Sequence, residues 1–301
     1  MKNCFARAAD WPRRVADLPA TPQHSAVLMA DPAAFAIDAV HNPHMAGGDG
    51  APHAVDQARA RAQWQALAAA YARCGVRVEV MPAVPGLADL CFSANPVLAL
   101  PTPAGQVVWA ARMTHASRRP EVAAHRAWFA ARGIALRELP QNVKRFEGGG
   151  DGIPHPGRWL LHAGIGPRSE RAAWEAIAQA HPDLDLLTYE LRDARFYHLD
   201  TALAALDQRR CLYVPEAFDA HGIALLLAAF DDAIPIPPEE ALNFAGNAHC
   251  PDGRHVLLQR GSPRTEAALR ARNFMPVPLD TGEFLKSGGS VFCLKQTIAT
   301  P

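Results

Sequence analysis

The chain has 301 residues, 49% of them hydrophobic and 20% charged, with Lys+Arg and Asp+Glu both at 30 and a formal net charge of zero. That composition suits a folded globular protein and excludes disordered or fibrous classes. It carries no basic excess to neutralise a phosphate backbone, so nucleic acid is not an expected partner. Arg7, Asp10, Arg13, Arg14 and Asp17 interrupt the first residues, which therefore lack a signal-peptide core. The longest apolar run, Ile223 to Phe230, is too short to span a bilayer. No membrane association is expected, and a soluble, cytoplasmic protein is. Six scattered cysteines show neither a paired nor a metal-ligand spacing. Free thiols are expected, with no disulfide framework and no metal.

In chain order, residues 1–22 read as an N-terminal extension with little periodicity, followed by one domain over 23–301. A strand is expected at Ala26–Met29, ended by Asp31-Pro32, and a glycine-rich loop at Ala46–Pro52. A helix from about Ala54 to Cys74, with Trp64, Leu67 and Tyr71 on one face, stops at Gly75 before the strand Val76–Val80. The helix–strand unit recurs from Pro120 to Gly133 and into Ile134–Leu139. It recurs again from Ser169, a candidate N-cap, to Ala180 and into Leu186–Leu191. A fourth copy runs from Ser262-Pro263 through Arg270 into Phe274–Val277. Further strands are expected at Leu90–Leu100, Val107–Arg112, Trp159–Ala163, Thr201–Leu206 and Cys211–Val214. Helices alternating with strand pairs predict an α/β fold of repeated modules in a single domain.

Three segments carry chemistry. In Phe146–Asp151, three glycines between Glu147 and Asp151 allow close backbone approach to a ligand, or form a flexible turn between solvated acids. In Phe196–Thr201, a strand would put His198 and Asp200 on one face, for proton transfer or as a structural hydrogen-bonded pair. In Lys286–Leu294, a Gly-Gly turn delivers Cys293 onto an apolar segment, either as a small hydrophobe or as a nucleophile whose base arrives through the fold. In conjunction, two carboxylates, a His and a Cys fit one reaction: acids hold a planar cation while a thiolate attacks its central carbon.

The order and wording of these motifs resemble the guanidino-group-modifying enzymes, the pentein superfamily. That superfamily includes arginine deiminases, dimethylarginine dimethylaminohydrolases, amidinotransferases and arginine dihydrolases. The resemblance runs from about Val27 to Ile298. It rests on Val27-Leu28-Met29, Asp31-Pro32, Phe35, Asn42-Pro43, Phe92–Asn95, Phe146–Asp151, Gly164–Glu170, Phe196–Thr201, Asn243–Asn247 and Gly288-Gly289 before Cys293. It implies a five-bladed α/β propeller of ββαβ-type modules around a polar channel, without metal or organic cofactor.

The resemblance also implies roles. Cys293 matches the nucleophile, His198 the general acid/base, and Glu147 and Asp200 carboxylates that bind guanidinium or orient the His. Asp151, Asn42 and Phe92 join the expected substrate site, and Arg112 and Arg168 are candidates to grip an α-carboxylate. The implied partner is a small guanidino amino acid, and the sequence admits a homo-oligomer. Deiminases and dimethylargininases usually carry Asp where this chain has Asn95. The Asn resembles the arginine dihydrolases, which take arginine to ornithine, ammonia and carbon dioxide. Open alternatives are dimethylarginine hydrolysis, deimination, amidino transfer and a non-catalytic pentein that binds a macromolecular partner.

Overall fold

A computed structural model describes residues 3–23 and 26–299. Among the described residues the strands form five small sheets, and one connection pattern generates all of them. Gly105–Ala110 pairs antiparallel with Val97–Thr102 and parallel with Leu136–Arg137, the crossover being the helix Arg119–Ala130. Leu160–Ile165 pairs in the same way with Gly152–Pro154 and, across the helix Arg171–Ala180, with Asp185–Glu190. Arg210–Tyr213 does so with Leu203–Ala205 and, across Ala220–Ala229, with Asp232–Pro235. His255–Gln259 pairs parallel with Met275–Leu279 across Pro263–Arg270, and its antiparallel neighbour is reduced to a His249–Leu257 bridge. The last sheet joins both ends of the chain. Ala26–Ala30 lies antiparallel to Gln296–Ile298 and parallel to Arg77–Met81, across the helix Gln57–Arg73.

Local chemistry explains the helices. In Gln57–Arg73 the buried residues Ala60, Trp64, Leu67 and Tyr71 recur at helical spacing, and the Asp56 carboxylate accepts the Arg59 N–H at 3.0 Å as N-cap. Gly75 and Gly133 end their helices with φ of 76° and 74°, the conformation their positions predict. Ser169 is not an N-cap: Glu170 occupies that position, and the Ser169 hydroxyl is engaged elsewhere. The helix Ala220–Ala229 completes the fifth copy, which periodicity does not reveal because its sequence is apolar nearly all round. Expected strand Leu90–Leu100 begins only at Val97, since Asp89–Asn95 forms turns. No helix among the described residues is long and apolar enough to cross a membrane.

The N-terminal segment is built into the body. Cys4–Phe5 adds a parallel strand beside Leu186-Leu187, and the Asn3 amide donates to Ala178 O, His181 O and Leu184 O. Trp11 is buried, and its indole N–H donates to Asp185 Oδ2 at 2.9 Å. Trp11→Ala should therefore lower unfolding free energy by about 3–5 kcal/mol, read as a shifted urea midpoint; an unshifted midpoint would show the segment to be dispensable.

Candidate active site

Each module's first, antiparallel strand is preceded by a turn, and those turns meet. Asn95 precedes Val97–Thr102, Glu147 and Asp151 precede Gly152–Pro154, His198 and Asp200 precede Leu203–Ala205, Asn247 precedes the His249 bridge, and Cys293 precedes Gln296–Ile298. Backbone bonds join the turns: Ala94 N–H donates to Cys293 O and Gly149 N–H to Ala94 O. Residues far apart in sequence thus converge without any long excursion of the chain.

Cys293 is held by Asn247. The Asn247 carbonyl accepts the backbone N–H groups of Ser290, Phe292 and Cys293, while its amide donates to Cys293 Sγ at 3.1 Å and to Asp200 O at 2.8 Å. Sequence analysis gives Asn247 a place in a motif but no role. The Cys293 thiol donates to Asp200 Oδ2 at 3.1 Å. Burial and the Asp200 charge push the Cys293 pKa well up, and burial pushes Asp200 up to about 7. Lys295 is buried nearby, its Nζ 3.1 Å from the Phe292 ring centroid, and burial lowers its pKa to about 7.

His198 is oriented by Glu147, with Nε2 2.9 Å from Glu147 Oε2. Arg168 Nη1 lies 3.1 Å from the same oxygen, and the Thr114 N–H donates to Oε1 at 3.0 Å. Burial alone would raise the Glu147 pKa. The hydrogen bond to His198 and the positive charges of His198, Arg168 and Arg118 instead hold it well below the usual carboxylate range. His198 and Asp200 do not share a strand: Leu199–Thr201 is a single 3-10 turn, so His198 faces Glu147 while Asp200 faces Cys293.

A narrow cavity of about 20 Å³, room for about one water, is lined by Cys293, His198, Asn95, Phe92, Asn42 and Arg168. The segment around Asn42 closes it: the Asn42 amide donates to Ser287 O at 3.0 Å, and Arg168 Nη2 donates to His41 O at 3.0 Å. A ligand of amino-acid size requires that segment to move. Two expected site residues lie elsewhere. The Arg112 guanidinium donates to Val143 O and Leu139 O and faces a different surface depression, because the Arg112–Phe146 backbone pairing turns it outward. Asp151 lies beneath the cavity, where its carboxylate accepts the Ser169 hydroxyl at 2.6 Å and the Leu199 N–H at 3.0 Å, bracing the His198 turn. Burial raises its pKa to about 6.

Arg118 is the cation missing from the sequence reading. It is buried, donates twice to Glu121 at 2.9 and 2.8 Å, and donates through Nη1 to Asn95 Oδ1 at 3.1 Å. No motif marks it, since His115–Arg119 reads as an ordinary approach to a helix.

Asp200 Oδ1 and Asn95 Nδ2 are among the buried polar atoms without a protein partner. One is an acceptor and the other a donor, and both belong to residues that adjoin Cys293 or the cavity. The glycine turn packs directly on the Asn95 turn. At Gly148, with φ of 51°, a Cβ would fall 2.3 Å from Val97 O and 2.5 Å from Asn95 O. Gly148→Ala should cost more than about 1 kcal/mol of stability and displace both Glu147 and the Asn95 turn. Urea unfolding and guanidine turnover measured together check this; an unchanged midpoint would contradict the packing.

A profile of the family described as N,N dimethylarginine dimethylhydrolase, eukaryotic, matches residues 31–299. The chain is 36% identical over 273 residues to an N(G),N(G)-dimethylarginine dimethylaminohydrolase of Mycobacterium tuberculosis, covering 91% of this chain and 85% of the relative. It is 34% identical over 290 residues to the bifunctional arginine dihydrolase/ornithine cyclodeaminase ArgZ of a Synechocystis species, covering 91% of this chain but only 38% of that protein. The solved N-terminal domain of cyanobacterial ArgZ, a cysteine-to-serine variant bound to substrate, superposes with a TM-score of 0.83 at 32% identity, covering 92% of this chain and 98% of that one. These likenesses and the site geometry have one explanation: the chain belongs to the dimethylarginine dimethylaminohydrolase family, within the pentein guanidino-modifying enzymes, and is a hydrolase of amidino C–N bonds.

Proposed function

We propose that this enzyme hydrolyses arginine twice at the guanidinium carbon, giving ornithine, two ammonia molecules and carbon dioxide, with Cys293 as nucleophile and His198 as acid/base. The five sheets are read as the blades of a propeller around the cavity. The observation that carries the two-cycle reading is the polarity of Asn95. Arg118 offers only donors, so the Asn95 carbonyl must face it. The amide NH2 is left against Gly150 beside the His198 ring, a buried donor without a partner. A guanidinium has no acceptor for that donor. A ureido oxygen, present after the first hydrolysis, does.

In the first cycle the guanidinium meets Asp200 Oδ1. Its charge favours ionised Asp200 and loss of the remaining Cys293 proton, which passes through the Asp200 carboxylate to solvent, and the resulting thiolate adds to the central carbon. His198, hydrogen-bonded to Glu147, gives a proton to the departing ammonia. The neutral imidazole then takes a proton from water, which displaces sulfur and leaves a ureido group. In the second cycle the thiolate adds to the ureido carbon, with its oxygen held by Asn95 Nδ2. A second ammonia leaves, water releases a carbamate, and the carbamate loses carbon dioxide to give ornithine. The substrate's carboxylate is held by the positive field of Arg168 and Arg118, not by Arg112. The Asn42 segment opens and recloses over it.

A second reading, supported by the family profile and the mycobacterial relative, is release of dimethylamine and citrulline from dimethylarginine. Mass spectrometry of products from each substrate separates the two. Ornithine from arginine supports the dihydrolase, whereas citrulline without ornithine refutes it. Asn95→Asp should move the product from ornithine toward citrulline, because a carboxylate facing a ureido oxygen leaves both unpaired.

Cys293→Ser and His198→Ala should each lower turnover by at least about 10²–10⁴-fold with an unchanged circular-dichroism spectrum; near-normal turnover in either would remove its assigned role. Arg168→Ala should raise KM strongly, while Arg112→Ala should leave both constants nearly unchanged, and the reverse pattern would restore Arg112 to the site.

The raised Asp200 pKa makes a pH prediction with a definite sign. The free enzyme keeps that proton up to about pH 7, and a guanidinium binds the deprotonated form. kcat/KM should therefore fall as pH drops below about 7. An unfolded Asp loses the same proton near its ordinary value, so this group's contribution to stability falls as pH rises from there to about 7. Bound substrate should offset that fall. A flat kcat/KM profile from pH 5.5 to 8 would exclude Asp200 as the titrating group.

A further inference from the structure

We propose that Cys74, Asp252 and His255 form a binding site for a divalent transition metal of zinc-like chemistry, pinning the first module to the last. Their ligand atoms, a thiol sulfur, a carboxylate oxygen and an imidazole nitrogen, all lie within 4.8 Å of one another. Two chain segments distant in sequence supply them. Cys74 caps the C-terminus of the helix Gln57–Arg73, its N–H donating to Ala70 O and Tyr71 O. Asp252 and His255 sit in the turn leading into His255–Gln259.

That turn is organised before any ion arrives. Asp252 Oδ1 accepts the N–H groups of Arg254 at 2.9 Å and His255 at 2.7 Å, and Oδ2 lies 2.6 Å from His255 Nδ1. One helical turn before Cys74, the Tyr71 hydroxyl lies 3.0 Å from His249 Nδ1, a second polar contact across the same seam. Both sides are thus fixed by backbone hydrogen bonds, with the ligand atoms already within 4.8 Å of one another.

The donor set selects the ion. Thiolate, imidazole and one carboxylate suit zinc, whereas calcium and magnesium require several oxygens. All three side chains are partly exposed or at the surface, so solvent would complete the coordination shell. Without an ion, burial and the Asp252 carboxylate keep the Cys74 thiol protonated; a dication between them reverses that field. The site lies apart from the catalytic cavity, so its role is structural.

Zinc could also bind Cys293 and His198, so the test uses the full chain carrying Cys293→Ser. Equilibrium dialysis against Zn2+ should give one equivalent for this protein. Adding Cys74→Ser or His255→Gln should weaken binding by more than about 100-fold, beyond what loss of an outer-shell partner costs. Co2+ should give a thiolate charge-transfer band that persists in Cys293→Ser and disappears in the double variant with Cys74→Ser. Cys74→Ser alone should keep full turnover, and the rise in Tm that Zn2+ produces in Cys293→Ser should be lost when Cys74→Ser is added. No stoichiometric zinc in Cys293→Ser, or zinc binding and a cobalt band indifferent to Cys74, would overturn the proposal.

Discussion

The carboxylate of Glu147 is the constraint on which the site depends. It has no solvent exposure, and a buried charge left unpartnered costs about 3–5 kcal/mol. Its three donors therefore cannot be placed independently. His198 must present Nε2 to it from the next module, Arg168 must reach it from the loop after Leu160–Ile165, and Thr114 must offer a backbone N–H. The glycines that follow allow the turn to come within van der Waals limits of Asn95 and Val97. Arg168 carries the effect further, since its other amino group holds His41 O and so the segment closing the cavity. The segment closing the cavity and the orientation of His198 are in this way tied to one ion pair.

Much of this was legible in the residues. The helix Gln57–Arg73 and its glycine stop follow from apolar spacing, and the three chemistry-bearing segments stand out because glycines or acids occupy positions that packing alone would not require. What sequence analysis missed has physical causes. Ala220–Ala229 has no polar face to give it a period. Ser169 looks like a cap because a hydroxyl before a helix usually is one, but here it accepts the Glu147 N–H and donates to Asp151. Arg112 and Arg118 are alike as letters. Only the sheet register, which pairs Arg112 with Phe146 and turns its guanidinium to the Val143 and Leu139 carbonyls, separates them.

Arg118 has a second consequence. By fixing the Asn95 carbonyl, it converts an amide that could turn either way into a donor of set direction. An Asp at that position would also bind Arg118, but would then show its second oxygen to the cavity and favour a cation. In the proposed reaction, the difference between one and two hydrolytic cycles rests on a single NH2 group whose orientation is set by a guanidinium itself anchored on Glu121.

The resting nucleophile is also explained by burial. A thiolate at Cys293 would stand beside a second negative charge at Asp200, in a site where both are desolvated, so the pair keeps its proton and Sγ–H donates to the carboxylate. Lys295, itself made a weak cation by burial, does not supply enough positive field to change that. A guanidinium does, because it brings a full charge to the unpartnered Asp200 oxygen. Under the proposed mechanism, activation depends on the charge of the substrate and not on a preformed thiolate. The ureido group of the proposed second cycle is neutral and cannot repeat this effect. Its turnover must rely on hydrogen bonds from Asn95 and a proton from His198, so the second cycle should be the slower one and citrulline should appear transiently before ornithine. Rapid-quench sampling checks this: a build-up and decay of citrulline is expected, and ornithine formed with no detectable intermediate at any time would show that the ureido species is not the slow point.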